Sequence, residues 1–289
     1  MGHSVAAPIH LFAWFRPLLL WHIVVLAVVQ GITEFLPISS SGHLILAPAV
    51  LGLADQGVWF DIAVHIGSLG AVVLCFWRDV LTLLIGVADT LRGRATRARQ
   101  LLWHVAIATI PVVLAGLALV KLGLLEHLRS PLVIAATSIL FGLLLWWVDV
   151  RWPREWKLEQ MSWRGALAVG FAQVLSLIPG TSRSGITITA GRWLALDRVE
   201  AARFSMLLSL PTILAAGLLE ALELAGGEVA AGVLDDLAIA AAMAFVAALA
   251  SIHLMLRWVA HASFTPFVIY RVALGLVLIV AVFAGVLPA

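Results

Sequence analysis

Two short stretches of the sequence hold the polar residues that could carry out chemistry. The first stretch supplies amide, carboxylate, hydroxyl and imidazole groups: Gln30, Thr33, Glu34, Ser39, Ser40, Ser41 and His43. The second supplies an amide, hydroxyls and a guanidinium: Gln173, Ser176, Thr181, Ser182, Arg183, Ser184 and Thr187. Both stretches are embedded in apolar sequence, where a charged side chain such as Glu34 or Arg183 is costly and indicates a functional site by default.

The serines of both stretches predict a site for an anion. Ser39 to Ser41 are favourable N-cap residues for a helix that starts near His43, and Ser182 to Ser184 are favourable for one that starts near Ile186. Helix N-termini present free N–H groups and the positive end of the helix dipole. Arg183 adds a fork of donors that matches phosphate oxygens. We therefore expect two converging helix starts to hold a diphosphate. The predicted substrate-binding residues are Gln30, Ser39, Ser41, Ser182, Ser184 and Thr187.

The candidate catalytic residues are Ser40, Glu34, His43 and Arg183. Gln30 and Glu34 are four positions apart, so they share one helix face. Glu34 could bind a divalent cation such as Mg²⁺ or Ca²⁺, orient a base, or act as the base itself. His43 could take a proton from a serine or protonate a leaving group. Two alternatives stay open: a Glu34–Arg183 pair that only clamps the protein together, and a His43 that is only hydrogen-bonded.

Asp61 and His65 are a further pair of titratable residues, near the outer end of a predicted span. Their spacing places them on one helix face. We interpret this pair as an interfacial hydrogen bond rather than as part of the site.

The composition predicts that the polar stretches lie within a membrane. The chain has 289 residues, of which 63% are hydrophobic and 12% are charged, and its mean hydropathy is +1.08. A soluble domain is about half apolar and about a quarter charged. The net charge of +2 offers no basic surface for nucleic acid. Six apolar runs have the length of about 20 residues that a helix needs to cross a bilayer: residues 59–77, 101–124, 130–150, 201–222, 234–260 and 264–287.

Proline and glycine interrupt two other apolar regions, which predicts two re-entrant helix pairs. The predicted arms are residues 18–36 and 43–54 around the first break, and 163–178 and 186–196 around the second. The pieces after the breaks are too short to span, and irregular backbone is tolerated at membrane depth only where protein or a water-filled cavity covers it. The expected fold is therefore an all-α polytopic membrane protein with six full spans plus two re-entrant helix pairs. It forms a single membrane domain, 1–289, whose halves, about 18–150 and 163–287, are an inverted-topology repeat.

The distribution of positive charge predicts the orientation in the membrane. Loops 78–100 and 151–164 are rich in arginine and lysine and are expected to be cytoplasmic. Loop 223–236 is acidic and is expected outside. Both termini then lie outside, the first re-entrant pair enters from outside, and the second enters from the cytoplasm.

The two breaks resemble the motifs of the undecaprenyl-diphosphate phosphatase family, also called bacitracin-resistance proteins. The matching stretches are Gln30-Gly-Ile-Thr-Glu34-Phe-Leu-Pro-Ile-Ser-Ser-Ser-Gly-His43-Leu and Pro179-Gly-Thr-Ser-Arg-Ser-Gly-Ile-Thr187. The layout of spans matches along almost the whole chain after the first 16 or so residues. The resemblance implies hydrolysis of undecaprenyl diphosphate to the monophosphate in the bacterial plasma (inner) membrane. It also implies an active site open to the outer side, recycling of the lipid carrier for cell-wall synthesis, and bacitracin resistance.

The resemblance also assigns roles to individual residues. It implies that Ser40 is the nucleophile and that Glu34, His43 and Arg183 complete the site. Gln30 stands where the family often has glutamate, so this chain lacks one carboxylate of a two-carboxylate metal site. His65 stands where the family usually has glutamine.

Acid-phosphatase-type lipid phosphatases share two pieces of the pattern, Ser41-Gly42-His43 and Ser182-Arg183. Their motif requires a histidine nucleophile six residues after the arginine, where this chain has Thr189. Their upstream Lys…Arg-Pro motif is also missing before the first break. These differences exclude that class.

Two functions other than catalysis could also account for these polar residues. A transporter or flippase of a lipid phosphate could use the anion site within an inverted repeat. A carrier needs no nucleophile beside a base, so the cluster of serine, glutamate and histidine favours the enzyme. A purely structural membrane protein leaves Glu34 and Arg183 unexplained. The expected partners are a polyprenyl diphosphate lipid and the bilayer, and the oligomeric state stays open.

Overall fold

The described part of the chain is almost entirely helical. The computed structural model describes residues 16–40, 42–44, 58–124, 128, 130–223 and 233–287. In chain order the main helices are α1 (Arg16–Phe35), α2 (Val58–Cys75), α3 (Trp77–Leu91), α4 (Arg97–Lys121), α5 (Pro131–Arg151), α6 (Trp163–Val174), α7 (Arg183–Trp193), α8 (Arg198–Glu223), α9 (Val233–His261) and α10 (Thr265–Phe283). Within these ranges β structure is limited to one bridge between Trp156 and Leu196. The predicted all-α class is confirmed.

Six helices are long and apolar enough to cross a membrane, namely α2, α4, α5, α8, α9 and α10. They match the six predicted runs, so the chain is a multi-pass membrane protein by helix length and composition. Their ends differ from the prediction by a few residues. For example, α4 begins at Arg97 because the side chain of Thr96, in extended backbone, accepts a hydrogen bond from the Arg99 N–H and caps the helix.

The predicted loop 78–100 is wrong for most of its length, because α3 occupies Trp77–Leu91. Between the arginines of this region lies a mainly apolar stretch, from Val80 to Ala88. This stretch is long enough to form a helix but too short to span the membrane. The turn into α4 is held by a 2.7 Å hydrogen bond from the Thr96 hydroxyl to the carboxylate of the buried Asp89.

The helices that precede the two breaks, α1 and α6, each pack closely on a long span. The backbone of Gly31 in α1 lies against α9, and a Cβ on this residue would be 2.5 Å from the Ala244 carbonyl oxygen. Gly170 of α6 lies against α4 in the same way, and its Cβ would be 2.7 Å from the Ala108 oxygen. Small residues allow this close approach of helix backbones. The two packing arrangements therefore hold both breaks against long helices.

A buried ion-pair network lies at the far end of α7 from the second break. The carboxylate of Asp149 accepts hydrogen bonds from Arg198 at 2.7 Å and from Arg192 at 3.1 Å. It also accepts one from the Phe264 N–H at 3.3 Å. A buried carboxylate is tolerated when it is paired and hydrogen-bonded in this way. The network joins α5, α7, α8 and the start of α10, which fixes the position from which α7 reaches the site.

Candidate active site

The two breaks share one local backbone geometry. Ser39 and Ser182 both adopt positive φ, 75° and 70°, which non-glycine residues rarely do. Each hydroxyl accepts a hydrogen bond from the N–H of a following glycine, Gly42 at 3.4 Å and Gly185 at 3.1 Å. The predicted cap at the second break is therefore confirmed at Ser182. The helix begins at Arg183, earlier than predicted, because this cap closes its first turn.

Parts of the first break lie outside the described residues. Ser41, predicted to bind substrate, is one of these, and so is most of the predicted arm 43–54.

The breaks contact each other directly through polar side chains. The Arg183 guanidinium donates from Nη2 to Oε1 of Glu34 at 2.8 Å. The Ser184 hydroxyl donates to the carbonyl oxygen of Leu36 at 2.9 Å. The side chains of Glu34 and Arg183 are only 8% and 11% exposed, so this ion pair lies inside the protein. The residues that the sequence predicts to converge are therefore in contact across 148 to 149 positions of the chain.

The carboxylate of Glu34 is the centre of the site. Its Oε2 accepts a 2.6 Å hydrogen bond from the Ser40 hydroxyl and a 3.1 Å bond from the Gln30 amide. Its Oε1 is bound to Arg183. Gln30 is fully buried, and its amide N–H orients the carboxylate. A serine hydroxyl that donates to a buried carboxylate is arranged to give up its proton.

The His43 ring makes two short contacts. Its Nδ1 lies 2.6 Å from the Ser39 carbonyl oxygen, and its Nε2 lies 2.5 Å from the Tyr270 hydroxyl. Because a carbonyl only accepts, Nδ1 carries a hydrogen, and Nε2 of the neutral ring accepts from Tyr270. The ring therefore contacts Ser39 and Tyr270, whereas Ser40 is bound to Glu34. Only a rearrangement at Tyr270 would free Nε2 for the substrate.

Tyr270 was not singled out by sequence reasoning. It lies in α10, 227 positions from His43, and the two rings stack with centroids 5.6 Å apart. The one available signal was that it is the only tyrosine of the sequence.

His65 lies beside the site, which corrects the interpretation of the Asp61–His65 pair. Its Nδ1 bonds to the backbone oxygen of Asp61 at 2.7 Å. Its Nε2 is 4.0 Å from Oε2 of Glu34. The bond within the helix turn orients the ring toward the carboxylate, so α2 contributes a group to the site.

Ser184 and Thr187, predicted to bind substrate, are buried and hydrogen-bonded to protein. Thr187 shares a 2.7 Å bond with the hydroxyl of Ser205, and Arg183 donates to the backbone oxygen of that residue at 3.0 Å. Ser182 and Ser184 are 3.1 Å apart through their hydroxyl oxygens. These contacts hold the start of α7 and aim the Arg183 guanidinium at Glu34.

Arg271 was also not singled out by sequence reasoning, and it holds the backbone of the second break through hydrogen bonds. The side chain is fully buried and donates from Nη2 to the backbone oxygens of Gly180 at 3.0 Å and Thr181 at 2.8 Å. Gly180 has φ of 86°, and a Cβ there would lie 2.5 Å from the Ile134 oxygen, so this position requires glycine. Tyr270 and Arg271 together let α10 contact both breaks.

The described residues contain no cluster of three His, Cys, Asp or Glu side chains that could hold a metal ion. Glu34, the predicted metal ligand, is a single carboxylate already bonded to Arg183, Gln30 and Ser40. Mg²⁺ is commonly bound through one or two carboxylates together with substrate phosphates. A metal-binding role for Glu34 therefore stays a prediction, in which substrate oxygens would have to supply most of the ligands.

Comparison with known proteins gives matches along most of the chain. The family model described as "Bacitracin resistance protein BacA" matches residues 23–277. The undecaprenyl-diphosphatase of Ruegeria pomeroyi is 53% identical over 261 residues, covering 90% of this chain and 97% of the relative. That of Jannaschia sp. is 52% identical over 270 residues, covering 92% and 99%. That of Chromohalobacter salexigens is 53% identical over 267 residues, covering 90% and 97%.

Proposed function

The chain belongs to the bacitracin resistance protein BacA family, and we propose that it hydrolyses undecaprenyl diphosphate to undecaprenyl phosphate and inorganic phosphate. Relatives about half identical to it, over nearly their full length, carry the name undecaprenyl-diphosphatase. The observation that carries the proposal is the 2.6 Å hydrogen bond from the Ser40 hydroxyl to Glu34, whose other oxygen is bound to Arg183. The product is the lipid carrier that cell-wall synthesis uses again.

In the proposed reaction Ser40 attacks the terminal phosphorus of the diphosphate. The Ser40 oxygen forms a bond to phosphorus, the bond from phosphorus to the bridging oxygen breaks, and the hydroxyl proton passes to Glu34. The lipid monophosphate leaves with the bridging oxygen. Water then attacks the phosphoserine, the bond from phosphorus to the Ser40 oxygen breaks, and that oxygen takes back the proton from Glu34 as inorganic phosphate leaves.

Arg183 and the start of α7 supply the charge stabilisation. The guanidinium has five N–H donors, and the described contacts to Glu34 and Ser205 leave others for phosphate oxygens. Phosphoryl transfer draws most of its rate from positioning and electrostatic stabilisation rather than from covalent chemistry of the protein. A guanidinium beside the nucleophile is therefore suited to the charge that develops on the transferred group.

Phosphate release in detergent micelles tests the function. The purified protein is expected to release inorganic phosphate from undecaprenyl diphosphate, with and without a chelator in parallel samples. Micelles have no compartments, so a lipid-phosphate carrier that uses the same anion site would release nothing. A protein that binds the lipid but yields no phosphate under either condition would overturn the enzyme assignment.

For the membrane arrangement we propose two re-entrant helix pairs in an inverted-topology repeat. The matching geometry of Ser39 and Ser182 supports this, because each follows an apolar helix that breaks, and each hydroxyl accepts a hydrogen bond from the N–H three positions later. The packing of α1 on α9 and of α6 on α4 also supports it. In this repeat α4 and α9 are equivalent spans, so each broken helix packs on a span of the other half.

We further propose that the protein lies in the bacterial inner membrane with both termini and the open side of the site facing the periplasm. The arginine-rich segment around α3 then lies in the cytoplasm, as the positive-inside rule requires. Acidic residues at the start of α9, Asp235 and Asp236, lie on the opposite side.

Cysteine labelling tests this orientation independently of catalysis. In a Cys75→Ala background, Glu228→Cys should react with an impermeant thiol reagent on intact cells. Ala95→Cys, at an exposed position between α3 and α4, should react only after the cells are opened. The reverse pattern would place the catalytic site on the cytoplasmic side.

A further inference from the structure

The guanidinium of Arg271 is a buried charge without a counter-charge. The side chain is fully buried, and its described hydrogen bonds all come from Nη2 and go to backbone oxygens. Its Nε and Nη1 are also buried and have no hydrogen-bond partner among the described residues. Within the same part of the chain, no carboxylate lies within ion-pair distance of this group. An ion inside a protein is costly unless another charge compensates it.

The backbone of the second break lies against this guanidinium on two sides. Nη2 donates to the oxygens of Gly180 at 3.0 Å and Thr181 at 2.8 Å, and a Cβ on Gly185 would lie 2.9 Å from Nη1. Gly142 of α5 leaves room on a further side, where a Cβ would lie 3.5 Å from Nε. These contacts are made by backbone atoms and glycines, which carry no charge. The positive charge therefore lies directly behind the first turn of α7.

The other charges at the two breaks cancel each other. Arg183 is bonded to the carboxylate of Glu34 at 2.8 Å, so this pair has no net charge. Asp149 lies at the opposite end of α7, where it pairs with two other arginines. Among the described Asp, Glu, Lys and Arg residues, Arg271 is thus the one that leaves the two breaks with a net positive charge.

From this imbalance we propose that Arg271 is the counter-charge for the diphosphate, a positioning residue that attracts the anion to the start of α7 without touching it; the inference rests on the proposed function. A diphosphate is a polyanion, and the free N–H groups at the start of α7 are suited to receive it. Charges inside a protein interact more strongly than in water, because little solvent screens them. Binding of the substrate then supplies the negative charge that Arg271 lacks in the described protein.

Two substitutions of Arg271 form a matched pair. Lysine and glutamine can both donate hydrogen bonds to the oxygens of Gly180 and Thr181, but only lysine carries a charge. The control is Arg257→Gln, which removes an exposed arginine of α9, where solvent screens the charge. All three substitutions are made in a Ser40→Ala background, so that turnover does not consume the lipid diphosphate during equilibrium titration.

In mixed micelles, Arg271→Gln should raise Kd for undecaprenyl diphosphate by about tenfold to a hundredfold, the order that one buried unit charge contributes. The loss should be smaller for undecaprenyl phosphate and absent for undecaprenol, because the interaction scales with the charge of the ligand. Arg257→Gln should stay within about twofold of the background protein, since its charge is screened.

Arg271→Lys should bind undecaprenyl diphosphate within about threefold of the background protein near pH 6, where the amine keeps its charge. Raising the pH to about 9 should weaken its binding toward that of Arg271→Gln, because a buried amine gives up its proton and a guanidinium does not. The background protein, measured at each pH, corrects for the ionisation of the ligand. A residue that only holds the backbone would give no such dependence on pH.

Three results would overturn this role of Arg271: unchanged binding in Arg271→Gln, equal losses in both Arg271 variants at every pH, or an equal loss for undecaprenol. If Arg271→Gln does not fold, the pH dependence of Arg271→Lys decides alone, and a loss of affinity that is constant with pH would identify Arg271 as a backbone clamp. Charge-dependent binding in a protein that releases no phosphate would instead refute the proposed function and leave the role of Arg271 standing. Phosphate release together with charge-independent binding would do the reverse.

Discussion

Arg183→Lys is expected to lower kcat for undecaprenyl diphosphate by about a hundredfold to a thousandfold, the scale of losing one preorganised donor at the reacting group. The variant keeps the positive charge but loses the planar fork. The guanidinium spans from the Ser205 backbone oxygen, 3.0 Å away, to Oε1 of Glu34, 2.8 Å away, and still has donors for phosphate. A lysine ammonium is a compact point charge that cannot bridge the same three partners.

The control is Arg203→Lys. Arg203 is another partly buried arginine, which lies in α8 and pairs with Asp79. It lies outside the two breaks, so turnover should stay close to wild type while the melting temperature reports any general cost of the exchange. Steady-state kinetics and thermal unfolding of both variants provide the comparison. If Arg183→Lys retains nearly full turnover, the Glu34–Arg183 pair is only a clamp between the breaks, and Arg183 has no catalytic role.

The parts of the fold and site that follow from the sequence are those determined locally. The length and hydropathy of the apolar runs suffice to predict the six long helices, because every span must be long enough to cross the bilayer. The cap at Ser182 also depends only on neighbouring residues, since a serine at a helix start bonds an N–H two or three positions later. The ion pair between Glu34 and Arg183 could be predicted from the sequence, because a charged residue inside a membrane has few possible partners.

The contacts that the sequence could not supply come from tertiary packing. The partner of His43 is Tyr270, which lies in the last span and resembles an interfacial aromatic residue when viewed alone. His65 was assigned to Asp61 from helix spacing, and the spacing is correct, but the rotation of α2 that turns the ring toward Glu34 depends on how α2 packs. Likewise, the ion pairs of Asp149 with Arg192 and Arg198 form only when α5, α7 and α8 pack together.

Ser40→Ala is expected to bind lipid diphosphate normally and to lose turnover by at least about a hundredfold, the scale of losing an activated nucleophile. Binding should survive because Arg183 and the start of α7 are untouched. The fold should survive because the Glu34 carboxylate keeps its bonds to Gln30 and Arg183 when the Ser40 hydroxyl is removed. Turnover is measured by phosphate release, and binding by equilibrium titration with the lipid diphosphate.

Ser39→Ala and Ser41→Ala are the matched controls, since each also removes one hydroxyl from the same break. The Ser39 hydroxyl accepts a hydrogen bond from the Gly42 N–H at 3.4 Å, and losing such a cap costs about 0.5–2 kcal/mol. Both controls should therefore lose less than Ser40→Ala. Brief incubation of wild type with substrate labelled in the terminal phosphate, followed by acid quenching, should leave label on a peptide that contains Ser40.

The comparison with His43→Ala decides between two mechanisms. His43, held by Ser39 and Tyr270, can act on the substrate only after Tyr270 releases its Nε2. Because the described contacts bind Ser40 to Glu34, Glu34 is expected to take the serine proton. In that case Ser40→Ala and Glu34→Gln are both severely impaired and only the first abolishes the labelled peptide completely. If Ser40→Ala turns over normally while His43→Ala is inactive, the nucleophile is His43 or a water that it activates. The Ser40–Glu34 bond would then serve only to order the first break, although the reaction assigned to the protein would still hold.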